Sequence, residues 1–214
     1  MVFGKIEYLN LLPFHVFMKR FTKSSSAKMA MEYKKSVPAV INKKFLTRNV
    51  DAAFISSIAA HKQNCVNLGI IAKKEVKSVL IIPSHTKKDD KESASSNALA
   101  RILGLEGEVL IGDKALRYAL EHDDYIDLAL AWHNKTHLPF VFALLCYHKD
   151  KKLYKKIEKL FSNKKVKIPH YLLEKASLRT NIPQKEILSY LELISYKVDT
   201  KAHYALKKFY KELP

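Results

Sequence analysis

Small polar side chains recur where predicted strands give way to predicted helices. Asn10 follows the apolar-alternating segment 2–6 and precedes Pro13, which favours the first turn of a helix because it has no N–H to lose. Hydroxyl groups occupy similar corners or a neighbouring strand at Ser56, Ser57, Ser78, Ser95 and Ser96. Ligands of open α/β sheets bind at the carboxyl ends of strands, facing helix N-termini. These uncharged groups therefore predict a dry site that binds carboxylates and hydroxyls.

Each of these residues also has a structural interpretation. Asn is a common helix cap or turn residue, and the paired serines 56 and 57 can cap the helix that follows them. Capping and ligand binding are compatible roles. Asp113 stands just after a predicted strand, where it can be a base or a ligand, but the Gly112-Asp113 pair also fits turn chemistry.

Motifs for phosphate, nucleophile and metal chemistry are missing. The chain has only 5 glycines and contains no G-x-G-x-x-G, Walker or G-x-S-x-G segment. His133 and His137 are four residues apart, but the Glu of a His-Glu-x-x-His zinc motif is missing between them. We therefore expect neither a metal nor a cofactor.

Composition favours a globular protein that binds a small molecule. The 214 residues are 48% hydrophobic and 28% charged, and no apolar run approaches the roughly 20 residues that span a membrane. The N-terminus lacks the basic-then-apolar pattern of a secretory signal, so we expect a cytoplasmic protein without membrane contact. The net charge of +17 is spread along amphipathic helices without an RNA-binding motif or zinc finger. We expect no nucleic-acid partner; the charge can instead steer small anions.

Cys65 and Cys146 are the only cysteines, and they lie far apart in sequence. Neither belongs to a Cys-x-x-Cys pair, so the sequence predicts two buried apolar thiols in a reducing compartment and no disulfide framework.

Strands and helices alternate through the first two thirds of the chain. Segments 51–55, 68–72 and 76–82 have the composition of strands, and the continuous apolar run 139–146 is typical of a strand buried on both faces of a mostly parallel sheet. From residue 150 onward the apolar residues follow a helical period. The pattern predicts an α/β fold with helices on both faces and a helical C-terminus.

Four stretches also carry a family resemblance. Tyr8-Leu9-Asn10-Leu11-Leu12-Pro13 resembles the start of the chorismate dehydratases, the first enzymes of the futalosine route to menaquinone. Segments 51–58, 111–117 and 138–143 resemble later stretches of that family, in the same order. The resemblance implies a two-lobed fold like that of type II periplasmic binding proteins. Its lobes would be residues 1–83 with 139–214 and an inserted lobe 84–138, with the ligand cleft between them.

The same resemblance implies a reaction and roles for the candidate residues. Chorismate, a dicarboxylate, would lose water to give 3-[(1-carboxyvinyl)oxy]benzoate. Asn10 would orient the leaving hydroxyl or the group that removes the ring proton. One carboxylate would bind Ser95 and Ser96 and the other Ser57 and Ser78. Because the sequence shows no clear base, the substrate's own side-chain carboxylate is a candidate for it.

Other functions stay open at this point. The sister enzyme that makes the dihydroxynaphthoate ring has a similar fold, although its expected Ser-Pro-Cys-Pro start differs from residues 8–13 here. A cytosolic protein that binds an anion without chemistry would show the same polar corners. Formation of a product distinguishes an enzyme from such a binder.

Overall fold

The structure, a computed structural model, describes residues 1–23, 32–84, 86, 88–163 and 165–213. Its strands are β1 (Val2–Lys5), β2 (Glu32–Lys35), β3 (Ala52–Ser56), β4 (Cys65–Ala72), β5 (Val79–Ile82), β6 (Glu108–Ile111), β7 (Ile126–Asp127), β8 (Phe140–Tyr147) and β9 (Ile194–Lys197). Its helices are α1 (Leu12–Lys23), α2 (Pro38–Leu46), α3 (Ser57–Ala60), α4 (Ala94–Leu103), α5 (Gly112–Glu121), α6 (Leu128–Thr136), α7 (Lys151–Ser162), α8 (His170–Thr180), α9 (Gln184–Glu192) and α10 (Thr200–Glu212). A 3₁₀ turn, Leu9–Leu11, precedes α1.

Two sheets organise the described chain. The larger sheet has the order β2-β1-β3-β8-β4-β9, and the smaller has the order β6-β5-β7. In the larger sheet β2, β1, β3 and β4 run in one direction, as predicted for a mostly parallel sheet, while β8 and β9 run in the other. In the smaller sheet both β6 and β7 are antiparallel to β5, so the prediction of parallel sheets is wrong there.

Aromatic side chains fill the layer between the larger sheet and its helices. Phe14 of α1 is fully buried, and its ring centroid lies 4.8 Å from that of Phe54 on β3 and 5.3 Å from that of Phe161 on α7. Such edge-on ring contacts add to the free energy gained by burying apolar area. This packing fixes α1, and with it the turn that carries Asn10, against the end of β3.

The second apolar cluster lies around Trp132 of α6. Its indole is fully buried against Phe140 and Phe209, and its Nε1–H donates to the carbonyl oxygen of Pro139 at 3.1 Å. The hydrogen bond satisfies the one polar group that the indole would otherwise bury unpaired. The cluster therefore holds α6 and α10 against β8.

Asp127 joins the smaller sheet to the segment that leads into it. Its side chain is buried, and Oδ2 accepts hydrogen bonds from the backbone N–H groups of Val76 and Lys77 at 2.8 and 2.6 Å. Its Oδ1 caps α6 by accepting from the N–H groups of Ala129 and Leu130. Burial raises the pKa of this carboxyl above its usual range, although the four N–H donors oppose the shift.

The cysteine prediction is wrong. Cys65 and Cys146 lie opposite each other on the antiparallel strands β4 and β8 and form a disulfide bond. Their sequence separation of 81 residues hid this pairing, because the register of two distant strands sets it.

The C-terminal third is helical, as predicted, except that β9 pairs with β4 at the sheet edge. The division into lobes stays a prediction. Because β5 pairs with β6 and β7, residues 79–82 belong to the smaller sheet. The predicted boundary after residue 83 placed them in the first lobe instead. None of the helices in the described ranges is long and apolar enough to cross a membrane.

We predict that Asp127→Asn lowers the free energy of unfolding by about 2 kcal/mol, measured by urea denaturation. The amide replaces one acceptor oxygen with an NH₂ group, which then faces backbone N–H donors. Asp199 is the matched control, because it is exposed and accepts one hydrogen bond, from Ala202 N–H at 2.8 Å. Asp199→Asn should cost no more than about 0.5 kcal/mol because Asn is an equally good cap. Equal losses in the two variants would contradict this role of Asp127.

Candidate functional site

A cavity lies between the larger sheet and the elements of the smaller sheet. The volume open to the centre of a water-sized molecule is about 80 Å³. Of the described residues, apolar side chains form most of its surface. The polar side chains are fewer: Tyr8, Asn10, Ser56, Ser78, Glu92, Ser93 and Ser96. Four of the predicted site residues, Asn10, Ser56, Ser78 and Ser96, therefore share one cavity.

Two tyrosines of the C-terminal third lie beside Asn10. Asn10 lies in the 3₁₀ turn between β1 and α1, and its carbonyl oxygen accepts a hydrogen bond from the Tyr196 hydroxyl at 2.7 Å. The Asn10 side chain also lies close enough to the Tyr190 hydroxyl to lower the pKa of that phenol. The sequence pattern identified neither tyrosine. Tyr196 lies on β9, within a segment that was predicted to be helical.

Asp113 does not line the cavity but fixes the turn that carries Asn10. Its Oδ1 accepts from the backbone N–H of Leu9 at 2.9 Å, and its Oδ2 lies 2.9 Å from Nη1 of Arg179 on α8. Burial raises the pKa of the carboxyl above its usual range, and the Leu9 N–H and Arg179 oppose that shift. Asp113 is therefore placed as a positioning residue.

Tyr8 and Glu92 form a polar contact at the edge of the cavity. The Tyr8 hydroxyl donates a hydrogen bond to Oε2 of Glu92. Burial and the nearby Glu92 raise the pKa of this phenol, so it stays a neutral donor at physiological pH. The ring packs on Gly112, where an added Cβ would lie 2.7 Å from the Tyr8 ring. A glycine is therefore required at this first residue of α5, which also has a positive φ of 70°.

The N-terminus of α4 faces the cavity. Ser93 caps this helix, accepting from the Ser96 N–H at 3.2 Å, and its hydroxyl donates to the Ser96 hydroxyl at 2.7 Å. Ser95 is buried and points elsewhere, since its hydroxyl accepts from the backbone N–H of Ile58 on α3 at 3.1 Å. A helix N-terminus favours negative charge through its dipole and unpaired N–H groups. Ser93 and Ser96, rather than Ser95, present hydroxyls at this end of the cavity.

The two serines at the end of β3 have different surroundings. The Ser56 hydroxyl caps α3 and lines the cavity, and Asn42 Nδ2 donates to it at 3.0 Å. Ser57 is fully buried outside the cavity, and its hydroxyl donates to the carbonyl oxygen of Val141. Its own carbonyl accepts from Tyr210, and burial raises the pKa of that phenol to about 12. Capping and cavity lining thus coexist at Ser56, whereas Ser57 joins α3 to β8.

Ser78 stands on the segment that leads into β5 and receives a buried hydrogen bond. The Tyr190 hydroxyl donates to Ser78 Oγ at 2.9 Å. Burial raises the pKa of Tyr190, and the hydrogen bond with Ser78 and the nearby Asn10 side chain oppose the shift. The Tyr190 phenol therefore lies beside both Asn10 and Ser78.

The arrangement suits a small anion with hydroxyl groups. Neutral donors and a helix N-terminus surround an apolar space in which Glu92 is the one described carboxylate, and its Oε2 accepts from Tyr8. A bound carboxylate therefore meets fixed dipoles instead of water. Glu92 was missed because it ends a run of charged residues that reads as an exposed loop. Among the described residues, no group of three or more His, Cys, Asp and Glu side chains could hold a metal ion.

Comparisons with known proteins point to one family. A family model described as menaquinone biosynthesis matches residues 1–107 and 104–213. The chain is 46% identical over 215 residues to a chorismate dehydratase from Campylobacter jejuni subsp. jejuni serotype O:23/36 (strain 81-176). The alignment covers 99% of this chain and 96% of that protein.

Solved structures share the fold at low sequence identity. Protein AF1704 from Archaeoglobus fulgidus has a TM-score of 0.67 and 12% identity, with 99% of this chain and 95% of that chain covered. The periplasmic aliphatic sulphonate binding protein SsuA from Escherichia coli has a TM-score of 0.61 and 13% identity, with 99% and 91% covered. The Candida albicans CA3427 product, which exhibits the generic periplasmic binding protein fold, has a TM-score of 0.55 and 12% identity, with 99% and 90% covered. The predicted fold is confirmed as α/β and periplasmic-binding-protein-like.

We predict that Ser78 and Tyr190 are energetically coupled. A double-mutant cycle of Ser78→Ala and Tyr190→Phe, measured by urea denaturation, should give a coupling free energy of about 1 kcal/mol. Each single variant removes one partner of the buried hydrogen bond, so the second substitution costs less in the first variant's background. Strictly additive losses would contradict the contact.

Proposed function

Because the chain belongs to the menaquinone biosynthesis family, we propose that it is a chorismate dehydratase, a hydro-lyase that converts chorismate into 3-[(1-carboxyvinyl)oxy]benzoate. The observation that supports this activity best is the 46% identity to a chorismate dehydratase along nearly the whole of both chains. The cavity adds support, because its neutral donors and helix N-terminus suit a dicarboxylate with a ring hydroxyl. A cytoplasmic location stays a prediction from the sequence.

The reaction needs little acid or base strength from the protein. A ring C–H bond breaks, hydroxide leaves the neighbouring ring carbon, and the product ring is aromatic. Loss of the ring proton gives an anion delocalised toward the ring carboxylate, which fixed hydrogen-bond donors stabilise. The main task of the cavity is then to hold a conformation that eliminates water instead of rearranging.

We assign the binding of the carboxylates to two regions of the cavity. Ser93, Ser96 and the N-terminus of α4 hold one carboxylate, and Ser78 holds the other. Asn10 lies between them and orients the ring hydroxyl, since an amide both donates and accepts. Ser57, Ser95 and Asp113 support these groups through the contacts described above. This division revises the roles that the family resemblance implied for Ser57 and Ser95.

The base in this proposal is the side-chain carboxylate of the substrate itself. Glu92 is the one carboxylate among the described cavity-lining residues, and its Oε2 is engaged by the Tyr8 hydroxyl. We assign Glu92 to holding Tyr8 in place. The proton taken from the ring then leaves with the hydroxide as water, so the elimination is balanced without an external acid.

The activity is tested by incubating the purified protein with chorismate and EDTA, and following the products by chromatography and mass. We expect 3-[(1-carboxyvinyl)oxy]benzoate to form well above the rate of the blank. Intact chorismate, with the protein shown to be folded by circular dichroism, would overturn the dehydratase proposal. The protein would then be treated as an anion binder, like its sulphonate-binding structural relatives.

Asn10→Ala should lower kcat/KM for chorismate by about 100-fold, because it removes the group that orients the leaving hydroxyl. Asn10→Asp should lower it similarly, because a carboxylate can only accept. Asn49→Ala, at an exposed position of the loop before β3, is the matched control and should behave like the wild type. Turnover unchanged by Asn10→Ala would remove Asn10 from the mechanism.

Glu92→Gln should keep kcat within about tenfold of the wild type, because the amide oxygen still accepts from Tyr8. Glu92→Ala should raise KM through a displaced Tyr8. If Glu92→Gln instead abolishes turnover while the variant still binds the product, Glu92 is the base and the substrate carboxylate is not.

A further inference from the structure

A second concave region lies on the far side of Tyr8 from the cavity. This region, the α1–α8 groove, runs between α1 and α8 and is bounded by the ends of β1 and β2. Its volume is about 470 Å³. The described residues that line it include five basic side chains and one carboxylate: Lys5, Lys19, Lys35, Lys175, Arg179 and Glu7.

Glu7 gathers two of these cations. Its Oε1 lies 3.1 Å from the Nζ atoms of both Lys5 and Lys35. Burial alone would raise the pKa of Glu7, but the hydrogen bonds and charges of the two lysines lower it overall, so it stays ionised. Two ammonium groups sharing one carboxylate leave an excess positive charge at this end of the groove.

The two helices contribute cations from opposite sides. Lys19 of α1 donates to the Tyr171 hydroxyl at 3.3 Å and lies 5.6 Å from the centre of that ring, which directs it toward α8. Lys175 of α8 makes no ion pair with any residue in the described ranges. Arg179 uses one nitrogen for Asp113 and keeps further N–H donors, because a guanidinium has five.

The base of the groove is uncharged. Leu12, Val16, Met18 and Ala176 provide apolar surface between the cations. His15 is held neutral, since burial lowers its pKa to about 4, and its Nε2 lies 2.7 Å from the Ile6 carbonyl oxygen. A ligand of this groove therefore needs several negative charges on a short carbon skeleton.

We propose that the α1–α8 groove is a second binding site, separate from the cavity, that takes a small organic polycarboxylate. Cations from four elements converge on it. They are offset by Glu7 within the groove and by Asp113, which pairs with Arg179 beside it. Tyr8 lines both the groove and the cavity, so the two sites adjoin. The proposal is independent of the dehydratase activity.

Citrate is the probe, titrated calorimetrically into the full chain at fixed ionic strength. The test variant is Lys19→Glu with Lys175→Glu, and the matched control is Lys152→Glu with Lys156→Glu, two exposed lysines of α7 that do not line the groove. Both variants change the net charge equally. We expect the test variant to bind citrate at least about tenfold more weakly and the control to keep wild-type affinity. Triethyl citrate, which is uncharged, should not bind.

Two results would overturn the site. One is equal weakening in both variants, which would show that citrate responds only to net charge; the other is no citrate binding to the wild type. If the double charge reversal fails to fold, Lys175→Gln alone changes one exposed side chain. It should weaken citrate binding about threefold. Unchanged affinity in Lys175→Gln would likewise contradict the proposal.

Discussion

The carboxylate of Asp113, whose side chain is 15% exposed, joins the three elements that the site depends on. It accepts the Leu9 N–H from the turn after β1, it belongs to the first turn of α5, and it pairs with Arg179 on α8. A buried carboxylate is stable only with such partners, because removing one leaves an uncompensated charge. Together with the packing of α1, this group sets the position of Tyr8 and Asn10, and thus the boundary between cavity and groove.

The residues that line the cavity determine its chemistry. Tyr196 of β9 holds the backbone of Asn10, Tyr190 of α9 lies beside its side chain, and α4 brings its N-terminus and two hydroxyls to the cavity. Strong acids and bases are rare among the described lining residues, and fixed neutral donors predominate. This suits an elimination whose product is aromatic, because such a reaction needs orientation and charge stabilisation more than proton transfer by the protein. The excess of cations lies in the neighbouring groove, where it does not compete with the cavity for hydrogen bonds.

Local signals in the sequence predicted part of this arrangement. Asn10, Ser56 and Ser96, which line the cavity, were predicted as site residues because small polar residues at strand-to-helix corners mark the ligand edge of an α/β sheet. The sequence did not show which of Ser95 and Ser96 faces the cavity. One residue along a helix rotates a side chain by about 100°, and only the packing of α4 fixes that rotation. The sequence allowed a turn role for Asp113. It did not predict the contact with Arg179, because the two residues are 66 apart in sequence.

Long-range pairing accounts for what was missed. β9 has only four residues within an apolar helical pattern, and it exists because the edge of β4 is available to it. The disulfide follows from the register of β4 against β8, which neither strand specifies alone. Glu92 was predicted to lie in an exposed charged loop. Its contact with Tyr8 joins distant parts of the chain, so no local pattern indicated it.

We propose that the cavity at Asn10 binds and dehydrates chorismate. A crystal structure of the protein with 3-[(1-carboxyvinyl)oxy]benzoate bound would test this directly. We expect one carboxylate against Ser93, Ser96 and the N-terminus of α4, with the aromatic ring facing Asn10. A product molecule found only in the α1–α8 groove, with the cavity at Asn10 unoccupied, would contradict it.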